Sequence, residues 1–167
     1  MPNAPPRILA VNPGWRYLGT AAFRGPELLD WGVKVVTGRT PSGKLASARG
    51  IVLRAIQRYD IDVLAIKRLH RSRSSAGLRG LTSRIKEPCR RKGLKVCQYS
   101  IQDLKAALLP DRRTNKRTLA ESLTIMYPVL AHDLRREGQN KNVYHLRMFE
   151  AVALGVVCHQ QLTDQYK

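Results

Sequence analysis

Apolar residues run unbroken from Ile8 to Val11 within Arg7–Asn12 and stop at Pro13-Gly14, which predicts a short strand buried on both faces with Asn12 at its C-terminal end. Residues 16–23 and 28–37 are rich in aromatic and β-branched side chains and are separated by the turn sequence Arg24-Gly25-Pro26-Glu27. The three runs predict an antiparallel meander. The period then changes. Leu45, Ala48, Val52, Ala55, Ile56 and Tyr59 recur at helical intervals, leaving Arg49, Arg54 and Arg58 for the other face of a helix whose start signal is Ser42, preceded by Pro41.

Asp60-Ile61-Asp62 leads into a second continuous apolar run at 63–66. It reads as a strand parallel to the first, because the intervening helix supplies the crossover. A helix over 78–92 and a fifth strand over 94–99 follow. Beyond Ser100, which with Asp103 makes a helix-start pattern, the chain reads helical over 101–109, 118–137 and 143–160, with Pro128 kinking or splitting the middle helix. No internal repeat, low-complexity tract or interdomain linker interrupts the 167 residues, so one α/β domain over 1–167 is expected, with a five-stranded sheet flanked by helices.

Charge changes the picture from fold to partner. Lys and Arg number 30 against 12 Asp and Glu, a formal net charge of +18, while 43% hydrophobic residues keep the chain in the globular range. An excess of that size is self-repelling in the folded state and is offset most naturally by a polyanion, nucleic acid above all. Cys89, Cys97 and Cys158 have neither zinc-site spacing nor the even count of a secreted disulfide framework, so reduced thiols in the cytoplasm are expected. The first residues do not read as a signal peptide, and no run approaches the roughly 18 apolar residues of a membrane span. No phosphate-binding Walker loop, dinucleotide fingerprint or nucleophile elbow is present.

Five features carry candidate chemistry. Asn12-Pro13-Gly14 ends the first strand, where a side chain projects into a crevice at the sheet's C-terminal edge, although these residues are also ordinary turn formers. Lys67 follows the buried run at 63–66, and from Lys67 to Lys95 there are eleven basic residues and one acid, Glu87. Arg68, Arg71, Arg73, Arg79 and Arg84 in that segment are candidate phosphate ligands, with Ser72, Ser74, Ser75 and Gly77 reading as a flexible loop. A second basic cluster, Arg112, Arg113, Lys116 and Arg117, precedes the capping-box pattern Thr118-Leu119-Ala120-Glu121. Trp15 and Tyr17 are candidates for stacking on an unpaired base, or for covering the sheet edge. Glu150 falls at about 40° on a helical wheel started at Leu146, between Val157 at about 20° and Leu154 at about 80°. A carboxylate on that apolar face needs a metal, a cation or hydrogen bonds, and Arg147 one turn earlier is one possible salt-bridge partner.

The segments ILAVNPGWRYLGTAAF, VLAIKRLH and MFEAVALGVV, spread over nearly the whole chain, together resemble RuvC-type Holliday junction resolvases of the ribonuclease H-like superfamily. The resemblance implies strand order 3-2-1-4-5 with helices on both faces, a homodimer, and a four-way DNA junction as partner. In that family the first strand ends in Asp-Pro-Gly, the fourth ends in Glu, and the last helix carries two carboxylates three residues apart, which bind two divalent metals for phosphodiester cleavage. Here Asn12, Lys67, Arg147 and Glu150 stand at those positions, so one expected carboxylate of four is present. The expectation is a RuvC-like protein that binds branched nucleic acid, with Lys67, alone or with Arg147, replacing the metals and pairing with Glu150, and with no cofactor. One alternative is an active structure-selective endonuclease that uses Mg²⁺ or Mn²⁺ on a rearranged acid set of Glu150 with Asp103 or Asp30. Another is binding of structured RNA or membership of a nucleoprotein assembly.

Overall fold

The computed structural model describes residues 4–109, 116–139 and 144–165. Strands β1 (Arg7–Asn12), β2 (Tyr17–Arg24) and β3 (Glu27–Val35) form the meander, and β4 (Val63–Lys67) and β5 (Lys95–Tyr99) extend it to a five-stranded sheet of order β3-β2-β1-β4-β5. β1 pairs antiparallel with β2 and parallel with β4, Val11 facing Ile66, so the C-terminal ends of β1 and β4 lie side by side. Helices α1 (Pro41–Tyr59) and α2 (Ala76–Arg91) supply the two crossovers. They are followed by α3 (Ile101–Leu108), α4 (Lys116–Met126), a short 3-10 turn at Pro128–Leu130, α5 (Ala131–Gln139) and α6 (Tyr144–Asp164).

Alternation along the strands builds two cores. Leu9, Val11, Leu64 and Ile66 point to one face and pack with Val52 of α1 and Leu81 and Ile85 of α2. Ile8, Ala10, Val63 and Ala65 point to the other and pack with α6, supported by Leu104 of α3 and Leu119 of α4. Both faces of β1 and β4 are therefore apolar, which is why these strands read as continuous hydrophobic runs.

Several boundaries differ from expectation for identifiable reasons. Thr40, not Ser42, caps α1: its hydroxyl accepts from the Gly43 N–H at 3.1 Å, and Pro41 takes the first helical position, where no N–H is needed. Gly77 lies inside α2 rather than in a flexible loop, because Ser75 caps that helix by accepting from the Leu78 N–H at 3.1 Å. The preceding loop is tied to His70, whose carbonyl accepts from the Ser74 hydroxyl at 2.8 Å. Thr118 does not open a capping box, since α4 begins two residues earlier, and Glu121 pairs instead with Arg117 at 3.4 Å. Pro128 splits the predicted long helix, as its missing N–H requires.

Two glycines let α6 settle onto the sheet. A Cβ at Gly19 of β2 would overlap the backbone carbonyl of Arg147, and one at Gly155 would overlap the ring of Phe23. Both are close-approach sites rather than turns.

Two measurements check this packing. Gly155→Ala is expected to lower stability by about 2–3 kcal/mol in a urea titration, because a fully buried Phe23 ring has nowhere to go. The Cys97 thiol is held below the ordinary thiol range, first by the hydrogen bond from Cys158 and then by Tyr99 and Lys95, whereas burial pushes Cys89 up to about 11. A thiol held low is the more reactive one, and mass spectrometry after brief alkylation of the native protein should find the label on Cys97 and not on Cys89.

Candidate functional site

The adjoining ends of β1 and β4 place Asn12 and Lys67 side by side, and α6 crosses above them with Glu150 facing down. Asn12 is 3% exposed and Glu150 2%, so both polar groups lie inside the protein. Three interactions compensate that burial. Lys67 Nζ donates to Glu150 Oε2 at 2.8 Å, Asn12 Nδ2 donates to the same oxygen at 2.9 Å, and Asn12 Nδ2 also lies 3.2 Å from the Arg147 carbonyl. The Lys67 side chain is 21% exposed, so the pair is buried on the carboxylate side and open to solvent on the ammonium side. An ammonium carries three donor protons, and Lys67 thus has capacity for a further anion.

Arg147 occupies a separate niche. Its guanidinium lies against Gly14, close enough that a Cβ there would collide with it. The chain turn Pro13-Gly14 is therefore covered by a cation, at the same end of β1 as Asn12.

The C-terminal ends of the parallel strands also carry the basic loop. Arg68 is exposed, continues the β4–β5 pairing through its N–H to the Tyr99 carbonyl, and sets its guanidinium 4.0 Å from Asp103. Arg71 and Arg73 are exposed in the loop between β4 and α2. Arg79 folds back so that Nη1 donates to the Ser74 carbonyl at 2.6 Å, and Arg84 is exposed one and a half turns further along α2. Arg117 lies on α4, away from this loop in sequence and engaged with Glu121; Arg112, Arg113 and the Lys116 side chain lie outside the described residues. Trp15 is half-buried, with the Lys44 ammonium 5.5 Å from its ring centre and the first turn of α2 against it at Gly77. Tyr17 is half-buried at the start of β2.

Among solved structures the chain is similar to RuvC of Thermus thermophilus, with a TM-score of 0.68 at 14% identity over 93% of this chain and 96% of that one. The same protein in complex with Holliday junction substrate gives 0.65 at 13% identity, again over 93% and 96%. The yeast mitochondrial Holliday junction resolvase Ydc2 gives 0.65 at 12% identity over 99% of this chain and 83% of its own. The fold is ribonuclease H-like. No protein-family model matches the chain, and no curated protein matches it in sequence.

Among the described residues the acids of this ribonuclease H-like fold do not assemble into a divalent-metal site. Among the described residues no three His, Cys, Asp or Glu side chains converge. Asp30 lies on the α1 face of the sheet, opposite Glu150, so the rearranged set that pairs these two acids is not formed. Asp103 is committed to a capping box, its carboxylate accepting from the Ser100 N–H at 2.7 Å. Glu150 already receives an ammonium and a carboxamide N–H on one oxygen, and an ammonium beside that oxygen repels a dication. The donor set does not fit the two metals implied by the resemblance.

Two contributors escaped the sequence reading. Gly19 sets the height of α6 above the sheet, and its signal was a glycine inside an otherwise strand-like run. The Arg147 backbone carbonyl, as distinct from its side chain, anchors Asn12, and no residue-type pattern reports a backbone acceptor.

Removing one partner of the pair isolates a buried charge. Lys67→Met is expected to cost about 3 kcal/mol in chemical denaturation, and adding Glu150→Leu to recover most of that loss, because a matched apolar pair carries no desolvation penalty. Equal destabilisation by the single and double variants would show that the pair contributes through packing alone.

Proposed function

We propose that the protein binds branched nucleic acid, a four-way DNA junction first, as a RuvC-like protein in which the Lys67–Glu150 ion pair stands where the relatives' fold would carry metal-binding acids, and that metal-dependent cleavage has been lost. The observation that carries this reading is the shared oxygen of Glu150, which holds both the Lys67 ammonium and the Asn12 carboxamide. A protein acid so engaged is a counter-ion for Lys67, and Lys67 in turn offers its solvent side to a phosphate oxygen.

Electrostatics and shape support the same reading. Lys67 opens the crevice to solvent, the exposed Arg68, Arg71 and Arg73 follow it in the loop after β4, and Arg147 lies over Gly14. Such a surface reads phosphate position and backbone shape rather than base identity. The likeness to RuvC in complex with Holliday junction substrate makes a junction the first ligand to test, and a homodimer presenting two crevices is the assembly we propose. Handling of recombination intermediates without cutting them follows from that assignment.

The test is incubation of the purified protein with a labelled four-way DNA junction and a linear duplex of the same arm sequence, with Mg²⁺ or Mn²⁺, resolved on native and denaturing gels. The expected result is a junction-selective shift without strand cleavage. The double variant Asn12→Asp plus Lys67→Glu runs alongside, and a gain of nicking there would place the lost chemistry at those two positions. Symmetric nicks from the unmodified protein would sink the proposal, and tighter binding to a matched RNA junction at the same salt would reassign the ligand to RNA.

A further inference from the structure

Helical charge is segregated by face. α1 and α2 carry nine Lys and Arg against one acid, Glu87, which pairs with Arg91, whereas α3 to α6 carry six cations and six acids. The surplus therefore lies on the face of the sheet away from the Asn12–Glu150 crevice. α1 lies over the middle of that face and leaves the β2–β3 side exposed beside it, forming a cleft of about 420 Å³.

The rim of this cleft is cationic from two sides. Arg54 and Arg58 stand one turn apart on α1 and share a face, and Lys34 of β3 stands across from them. Its floor is made of small residues, with Thr20 and Ala22 of β2, and a side chain at Gly32 would meet nothing within 4 Å, so the floor is open. Asp30 is the acid of the cleft, and its carboxylate lies near the Tyr59 hydroxyl. Burial and then this carboxylate push the Tyr59 phenol up, which keeps it protonated at neutral pH. The Arg58 guanidinium lies 5.5 Å from the Tyr59 ring centre, an arrangement that restrains the arginine at the rim. On the other flank of α1 a second groove contains Arg49, Arg91 and Lys92 against one acid, Asp60.

We propose that the cleft between α1 and the β2–β3 strands is a phosphate-binding site for the backbone of a nucleic-acid strand, on the face of the sheet opposite the Lys67 crevice. The inference rests on the nucleic-acid reading above and extends it to a second contact surface. Three cations converge there on a shallow, open floor, which suits a phosphodiester passing through. Continuation of positive charge into the groove on the far flank of α1 fits an extended polyanion better than a single small anion. A strand held here would belong to a different part of the ligand from the one at Lys67, since the sheet separates the two sites.

Binding of a labelled linear duplex and a labelled four-way junction is measured by fluorescence anisotropy across a salt series. The proteins are the wild type, the triple variant Lys34→Gln/Arg54→Gln/Arg58→Gln, the loop variant Arg71→Gln/Arg73→Gln, and Asp30→Asn. The triple variant is expected to weaken both ligands about tenfold or more, and to flatten the slope of log affinity against log salt by about 2–3. Asp30→Asn removes the opposing charge and should tighten binding several-fold, a gain that a misfolded protein cannot produce. Unchanged affinity and slope in the triple variant would overturn the site. Inorganic phosphate or adenosine monophosphate displacing the duplex at micromolar concentration would overturn the strand in favour of a small phosphate ligand. A wild type that prefers neither ligand, with the triple variant weaker on both, would end the junction reading and leave this site standing. A wild type that binds no nucleic acid overturns both.

Discussion

The arrangement depends on how closely α6 lies against β2. Gly19 on the strand and Gly155 on the helix each remove a side chain at a point of contact, one beneath the Arg147 carbonyl and the other beside the Phe23 ring. At that height the Arg147 carbonyl comes within 3.2 Å of Asn12 Nδ2, and Glu150 meets donors from both β1 and β4. A larger residue at position 19 would lift the helix by a side-chain thickness, and Glu150 would be left buried above the strand ends with its partners out of reach. Packing complementarity and the electrostatics of the crevice are therefore one constraint, since hydrogen bonds lose most of their strength over a displacement of about 1 Å.

The crevice illustrates how a buried charge is accommodated without a metal. Burying a lone carboxylate costs several kcal/mol, and here a cation on a neighbouring strand and a neutral carboxamide share the task. Asn12 contributes through a dipole, which stabilises the carboxylate without adding charge, while Lys67 matches it and leaves its outer side to solvent. Pairs of this kind add specificity more than stability, because the alternative of two apolar side chains carries no desolvation cost.

Much of the architecture was legible because β1 and β4 are covered on both faces, and a strand with two apolar neighbours must be apolar throughout. The sheet order and the placement of helices on both faces match what the resemblance implied. Helix starts were less legible: Thr40 and Ser42 are chemically equivalent caps, and only the backbone at Pro41 decides between them. Glu150 stands out as a carboxylate on an apolar face; sequence proximity alone suggests Arg147, which lies over Gly14, whereas the resemblance sets Lys67 beside it, and the ion pair does form with Lys67 from 83 positions away. Asp30 does not join Glu150 because alternation along β3 puts Asp30 and Lys34 together on the α1 face. The cleft there is not legible in the sequence, since its cations come from a helix and a strand that no linear motif joins.

Segregation of helical charge leaves the layer of α3 to α6 balanced and makes the layer of α1 and α2 cationic, so the helices alone contribute an electric moment across the sheet. In the field of a polyanion such a body turns before it touches, so collisions begin with α1 and α2 foremost and the opposite layer facing solvent. Orientation acquired at a distance of about 8 Å, the screening length at physiological salt, shortens the search for a productive pose and makes the encounter rate, as well as the final affinity, fall as salt is added.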